Sequence, residues 1–141
     1  MHGTCIKGVQ NNLKWGVNAK KADEICCFNR HYAEHSGYAF HSANTSWVVG
    51  ENEPYYDSVF GKLVFTAPIG RSSLDFLAES KAHGWPSFRD AEVNWDVVRV
   101  LPNGETITVD GVHLGHNLPD KKGNRYCINL VCIAGNPEQL L

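Results

Sequence analysis

Residues 111–135 read GVHLGHNLPDKKGNRYCINLVCIAG, and the fold turns on how RYCINLVCI within this stretch is understood. In an extended chain successive side chains point to opposite faces. As a strand, the run sets Tyr126, Ile128, Leu130 and Cys132 on an apolar core face and Arg125, Cys127 and Asn129 on the other. Upstream, EVNWDVVRVL, PNGE and TITVDGV predict a hairpin whose strongest turn signal is Asn103-Gly104. VFGKLVFT, residues 59–66, predicts a further strand. Ser72 or Ser73 caps a short helix that runs through Lys81 and is broken by Gly84. Antiparallel strands with a short helix predict a compact, mainly β domain.

The first half is less regular. Residues 1–21 are polar and rich in Asn and Lys, which predicts an irregular arm. ADEICCFNRHYAEHSG predicts a short helix over 22–35, stopping before Gly37, and Trp47-Val48-Val49 a short strand before the ENEP turn.

A chain of 141 residues suits one domain with a sizeable core. Its formal net charge of -2 and lack of a Lys/Arg stripe give no footprint for nucleic acid. No apolar run approaches a membrane span, and MHGTCIKGVQNN has no apolar signal-peptide core. The expectation is a cytoplasmic monomer. Five cysteines, at positions 5, 26, 27, 127 and 132, form no CxxC and make an odd count. That pattern argues against a disulfide scaffold or a zinc knuckle and predicts thiols.

On the strand reading Cys127 sits between a cation and an amide, and a nearby guanidinium favours the nucleophilic thiolate. A buried structural cysteine is an equally good account of Cys127 alone. Cys132, on the core side, reads as a small buried hydrophobe, and it lies roughly 16 Å along an extended strand from Cys127, too far for a disulfide. His113 and His116 flank a glycine in a predicted loop. A metal reading of them needs a third ligand, Asp110 or Asp120; the alternatives are solvent-facing loop histidines or proton donors beside a thiolate. Trp85, held in HGWPSF, is either a core anchor or an aromatic wall for a small apolar group.

Taken together and in order, GWPSF, HLGH and RYCIN resemble the SelR-type, R-specific peptide-methionine sulfoxide reductases in a zinc-free form. The resemblance covers roughly residues 55–134 and implies a β-tent (Mss4-like) fold of two antiparallel sheets with a few short helices. It implies an arm and short helical segment over 1–54 packed on the domain, a catalytic core over 55–135 and a tail over 136–141. By the same resemblance Cys127 is the nucleophile, oxidised to a sulfenic acid as methionine-R-sulfoxide, free or in peptides, becomes methionine. His113 and His116 orient and protonate the sulfoxide oxygen, Arg125 keeps Cys127 ionised, and Asn129 completes a polar rim. Trp85 holds the S-methyl group, with Phe88 and Asp120 as further substrate-binding candidates. No metal or bound cofactor is implied. The reductant is an external thiol, thioredoxin or dithiothreitol, acting directly or through a recycling cysteine among Cys5, Cys26 and Cys27. Cys26-Cys27 reads in the first place as a buried structural pair.

The chain departs from the family in four places. Where many members carry zinc-binding CxxC pairs it has Asp57 with Phe60 and Ile107 with Asp110. The segment between Phe65 and Trp85 is longer, and that between HLGH and RYC is shorter. Leu130 replaces the family's usual serine. A binding module of the same fold using the Trp85 pocket without turnover is the second hypothesis, and a thiol redox sensor the third.

Overall fold

A computed structural model describes residues 8–14, 19–28, 52–83 and 86–137. Cys5, Trp15, Trp85, the predicted strand at 47–49 and the far half of the predicted 22–35 helix lie outside the described residues.

The domain is mainly β, with two antiparallel sheets and a few short helices. Strands β1 (Glu53–Tyr56) and β2 (Leu63–Ala67) pair as a two-stranded sheet. Strands β3 (Ser87–Phe88), β4 (Val98–Val100), β5 (Glu105–Thr108), β6 (His113–Asn117) and β7 (Tyr126–Ile128) form a second sheet in the order β3-β7-β6-β5-β4. Helix α1 spans Ala19–Phe28 and α2 spans Ser73–His83. No helix among the described residues is long and apolar enough to cross a membrane.

Three boundaries differ from expectation for local reasons. The strand expected over 59–66 begins at Leu63 because Asp57 folds the chain before it into a tight turn. One Asp57 carboxylate oxygen accepts from the Val59 and Phe60 N–H groups at 2.9 and 2.7 Å, the other from Lys62 at 2.9 Å. Gly61 closes the turn at φ 71°. Helix α1 starts at Ala19, before the expected 22, and buries Ala22, Ile25 and Cys26 at helical spacing. The last strand ends at Ile128; Asn129 turns the chain into a 3-10 helix over Leu130–Cys132. The alternation extended to Cys132 therefore fails beyond Ile128, and every residue from Arg125 to Ala134 is buried.

Helix α2 matches its expected start. The Ser72 hydroxyl accepts the Asp75 N–H at 3.1 Å, a side-chain cap for the orphan donors of the first turn. The β4–β5 hairpin also forms as expected, with Gly104 at φ 93°. Phe88 is the hub of the aromatic core: its ring stacks on Phe65 at 4.2 Å and meets Phe76 at 5.3 Å and Tyr55 at 5.4 Å. Residues 8–14 are irregular but docked, with Gln10 N–H donating to Ser58 and Lys14 N–H to Ala134.

A disulfide joins Cys26 of α1 to Cys132 of the final 3-10 helix, and Cys27 is disulfide-bonded as well. This overturns the expectation of thiols. Helix α1 packs against the final 3-10 helix and brings together two cysteines 106 residues apart, a proximity that spacing along the chain could not disclose.

The β1–β2 turn and the β5–β6 turn, where the resemblance would set zinc-ligand pairs, are joined directly to each other. Besides the Asp57 turn, the Lys62 ammonium reaches the Asp110 carboxylate at 2.8 Å, tying the β1–β2 turn to the β5–β6 turn. Among the described residues no group of three or more His, Cys, Asp or Glu side chains could hold a metal ion.

Candidate active site around Cys127

Strand pairing sets Cys127 in a polar row. Ser87 of β3 is its register partner on one side and His116 of β6 on the other, and His116 in turn faces Glu105 of β5. Directly paired residues share a face of the sheet, so Ser87, Cys127, His116 and Glu105 lie side by side. Gly115 makes this pairing close: a Cβ there would stand 2.0 Å from the Cys127 carbonyl oxygen and 2.9 Å from the Ile128 Cα. The glycine of HLGH is thus demanded by the backbone of the strand that carries the thiol.

HLGH is strand, not the loop expected. Residues three apart in a regular strand point oppositely. Here a register shift sets Ile107 opposite His113 and Thr106 opposite Gly115, spending two steps of β6 on one of β5. The His113 and His116 rings come within 6.2 Å. His113 is fully buried, with Nδ1 at 2.9 Å from a Glu105 carboxylate oxygen that is itself buried. Glu105, which the sequence did not single out, therefore fixes the His113 ring, while His116 is half-buried beside Cys127.

Arg125 does approach the thiol, its Nη1 donating to Cys127 Sγ at 2.9 Å. The consequence for acidity is the reverse of the expected one. Cys127 is 1 % exposed, and burial pushes its pKa up to about 11, against the lowering effect of the Arg125 charge. The resting Cys127 is a neutral thiol. Cys127 is also the one free cysteine among the described residues.

Two further site assignments do not survive the geometry. Phe88 pairs with Tyr126 on the face opposite Cys127 and is enclosed by Tyr55, Phe65 and Phe76, so it belongs to the core. Asn129 is 1 % exposed and clasps β6, its backbone N–H and its Nδ2 both donating to the Leu114 carbonyl, at 2.8 and 3.1 Å. It is not a rim residue. Of the recycling candidates, Cys26 and Cys27 are buried in disulfides and offer no resolving thiol. Cys5 and Trp85 lie outside the described residues.

Asp120 reaches the site's border as the partner of two arginines. It takes a pair of bonds from Arg89 at 2.9 and 2.8 Å and stands 3.8 Å from Arg125 Nε. The hydrogen bond from Arg89 holds its carboxyl well below the usual carboxylate range, despite some opposing desolvation. Arg89 also pairs with Glu79 of α2 at 2.6 Å, and Glu79 accepts the Ser87 hydroxyl at 2.8 Å. Burial alone would raise the Glu79 pKa; the bonds from Arg89 and Ser87 and the charges of Arg71 and Arg89 together lower it. Burial and the bond to Asp90 raise the Tyr126 pKa beyond the usual phenol range. This Arg89-centred network was not foreseen. Ser87 and Arg125 fall within motifs and Arg89 follows one, but Arg71 and Glu79 carry no motif signal, so the sequence did not show the members meeting.

Chemically, the arrangement offers a protonated thiol with a guanidinium on its sulfur and, one strand over, His116 as the register partner of Cys127. A cation at the sulfur stabilises the thiolate once the thiol gives up its proton. Comparisons with family models, curated proteins and solved structures return no match to this chain. The functional reading therefore stands on the motifs and on this geometry.

Proposed function

We propose that the protein is a thiol-dependent oxidoreductase that reduces methionine-R-sulfoxide to methionine at Cys127. The observation that carries the reading is the Arg125 Nη1 contact at 2.9 Å on the one free thiol among the described residues, with His116 directly across the strand. In the reaction the sulfoxide oxygen leaves the methionine sulfur and bonds to Cys127 Sγ. The thiol proton ends on that oxygen, the methionine sulfur gains two electrons and the cysteine sulfur loses two. The sulfenic acid is then reduced by two equivalents of an external thiol, giving the Cys127 thiol, a disulfide of the reductant and water. With Cys26 and Cys27 already bonded, direct attack by a small thiol or a thioredoxin-like protein is the favoured return path. Trp85, as the wall for the S-methyl group, belongs to this proposal through the motif resemblance.

Structural disulfides persist in oxidising compartments and are rare in reducing ones. The Cys26–Cys132 bond thus weighs against the cytoplasmic address expected from the sequence.

The burial of Cys127 favours one second reading, a binding domain of the same fold in which the thiol never meets a ligand. Turnover separates the two. Incubation with a mixture of R and S sulfoxides and dithiothreitol should consume the R form alone, and Cys127→Ser should abolish the loss. Persistence of both forms at high protein concentration would defeat the reductase reading.

A further inference from the structure

An open cavity of about 810 Å³ lies over the charged network that borders Cys127. Its wall is formed by Arg71 before α2, Asp75 and Glu79 of α2, Arg89 and Asp90 after β3, and Lys122 before β7. The size is in the range of small-molecule sites, but the lining is dominated by charge of both signs, unlike the apolar lining of most such sites.

Most of these charges are already engaged. Arg71 pairs with Glu92 at 2.7 Å and with Glu79 at 3.3 Å, Arg89 with Glu79 and Asp120, and Asp90 accepts the Tyr126 hydroxyl at 2.6 Å. Two are not. Among the described residues, the Lys122 ammonium and the Asp75 carboxylate enter no ion pair. They stand on different elements of the cavity wall, the β6–β7 connection and the first turn of α2. The cavity thus presents one available cation and one available anion.

Cys127 is not in the cavity's lining, but two of the lining residues are linked to it. Glu79, which lines the cavity, accepts the hydroxyl of Ser87, the register partner of Cys127. Arg89, also in the lining, holds Asp120 beside Arg125, the donor to Cys127 Sγ. The charges of Glu79 and Arg89 are both felt at the Cys127 sulfur.

We infer that this cavity receives the α-carboxylate and α-ammonium of a free amino acid, at Lys122 and Asp75 respectively, and that the substrate is free methionine-R-sulfoxide in preference to the peptide-bound form. A residue within a peptide carries neither charge and would leave both groups unanswered. Apolar ligands find only Ala78 and Ala91 there. The inference rests on the reductase reading for its substrate, but not for its binding site.

The test compares free L-methionine-R-sulfoxide with its N-acetyl, C-amide derivative, using wild type, Lys122→Ala and Asp75→Asn. Higher kcat/KM for the free amino acid is expected, falling about fivefold in each variant through KM, as for a partly exposed charge pair. Turnover of the capped derivative should be unchanged. Equal or faster turnover of the capped derivative by wild type would overturn the inference while leaving the reductase reading intact. If neither compound is turned over, the reductase reading falls, and calorimetry of free methionine sulfoxide on Cys127→Ser judges the cavity alone. Saturable binding weakened by both substitutions would support the site. No binding, or binding indifferent to both, would refute it.

Discussion

Alkylation of Cys127 as a function of pH tests the electrostatic account of the site most directly. The thiol pKa stands at about 11 against an ordinary 9.0, because burial outweighs the favourable Arg125 charge. At any pH below 9 the thiolate fraction is therefore about a hundredfold lower than in an unfolded chain, or about 2.7 kcal/mol at roughly 1.36 kcal/mol per tenfold. Iodoacetamide labelling, followed by mass spectrometry of the Cys127 peptide, should still be accelerating at pH 10 in the native protein. The same cysteine in urea should be half-maximal near pH 9 and level off about one to two pH units above that. Arg125→Ala removes the lowering contribution and should push the native curve further up. Folding holds this proton more tightly than the unfolded chain does, so the associated stability is present below pH 9 and lost as pH rises through 11. Urea titrations at pH 8 and pH 11 should show a larger loss in wild type than in Cys127→Ser, in which the raised Tyr126 phenol still contributes a loss of its own. A native labelling curve that levels off below pH 8 would refute the reasoning, because Arg125 would then outweigh burial.

Further outcomes follow from packing and bonding. Gly115→Ala forces a Cβ to within 2.0 Å of the Cys127 carbonyl oxygen, so β6 and β7 must separate; a loss of about 3 kcal/mol or more is expected in urea unfolding. Gly70→Ala meets nothing within 4 Å and should cost only about 1 kcal/mol for its φ of 76°. Asp57→Ala strips three backbone N–H groups of their acceptor and should cost about 2–4 kcal/mol. Lys62→Ala, breaking a half-exposed ion pair, should cost less than about 1 kcal/mol by the same measurement. The double change Cys26→Ser and Cys132→Ser should lower stability by about 2–4 kcal/mol, by releasing a loop of over a hundred residues in the unfolded chain; an unchanged midpoint under matched oxidising conditions would count against a structural role.

What the sequence disclosed was local. Asn103-Gly104 announced the β4–β5 hairpin because only certain residues tolerate that turn, and Ser72 announced α2 through its cap. The face shared by Arg125 and Cys127 was legible because residues two apart in a strand lie together, and the 2.9 Å contact bears out their adjacency. What misled was the extension of that period. RYCINLVCI continues to alternate in sequence after the chain has left the strand, since a 3-10 turn buried on all sides needs apolar residues as much as a strand does. Phe88 and Asn129 were misassigned for a related reason: a motif fixes which residues stand together but not which of them face the core. The disulfide depended on α1 docking against the last 3-10 helix, a contact between the two halves of the chain that no window of sequence contains.

The burial of Cys127 and its proposed chemistry bear on each other through the proton. A sulfoxide oxygen leaving methionine must end protonated, and a thiolate site would need a separate acid held ready for it. A neutral thiol brings the proton itself, so the net step consumes none from solvent. The difficulty moves to attack, because the sulfur is nucleophilic only after the proton has left it. Arg125 answers that difficulty: its charge stabilises the developing thiolate in a buried, low-dielectric setting where one hydrogen bond counts for more than it would in water. On the proposed reading His116, the half-buried register partner of Cys127, carries the proton across to the oxygen. On this account Arg125→Lys should keep part of the rate by preserving charge, whereas Arg125→Ala should lose it mainly in kcat. A loss confined to KM would mean that Arg125 holds substrate and leaves the sulfur unassisted.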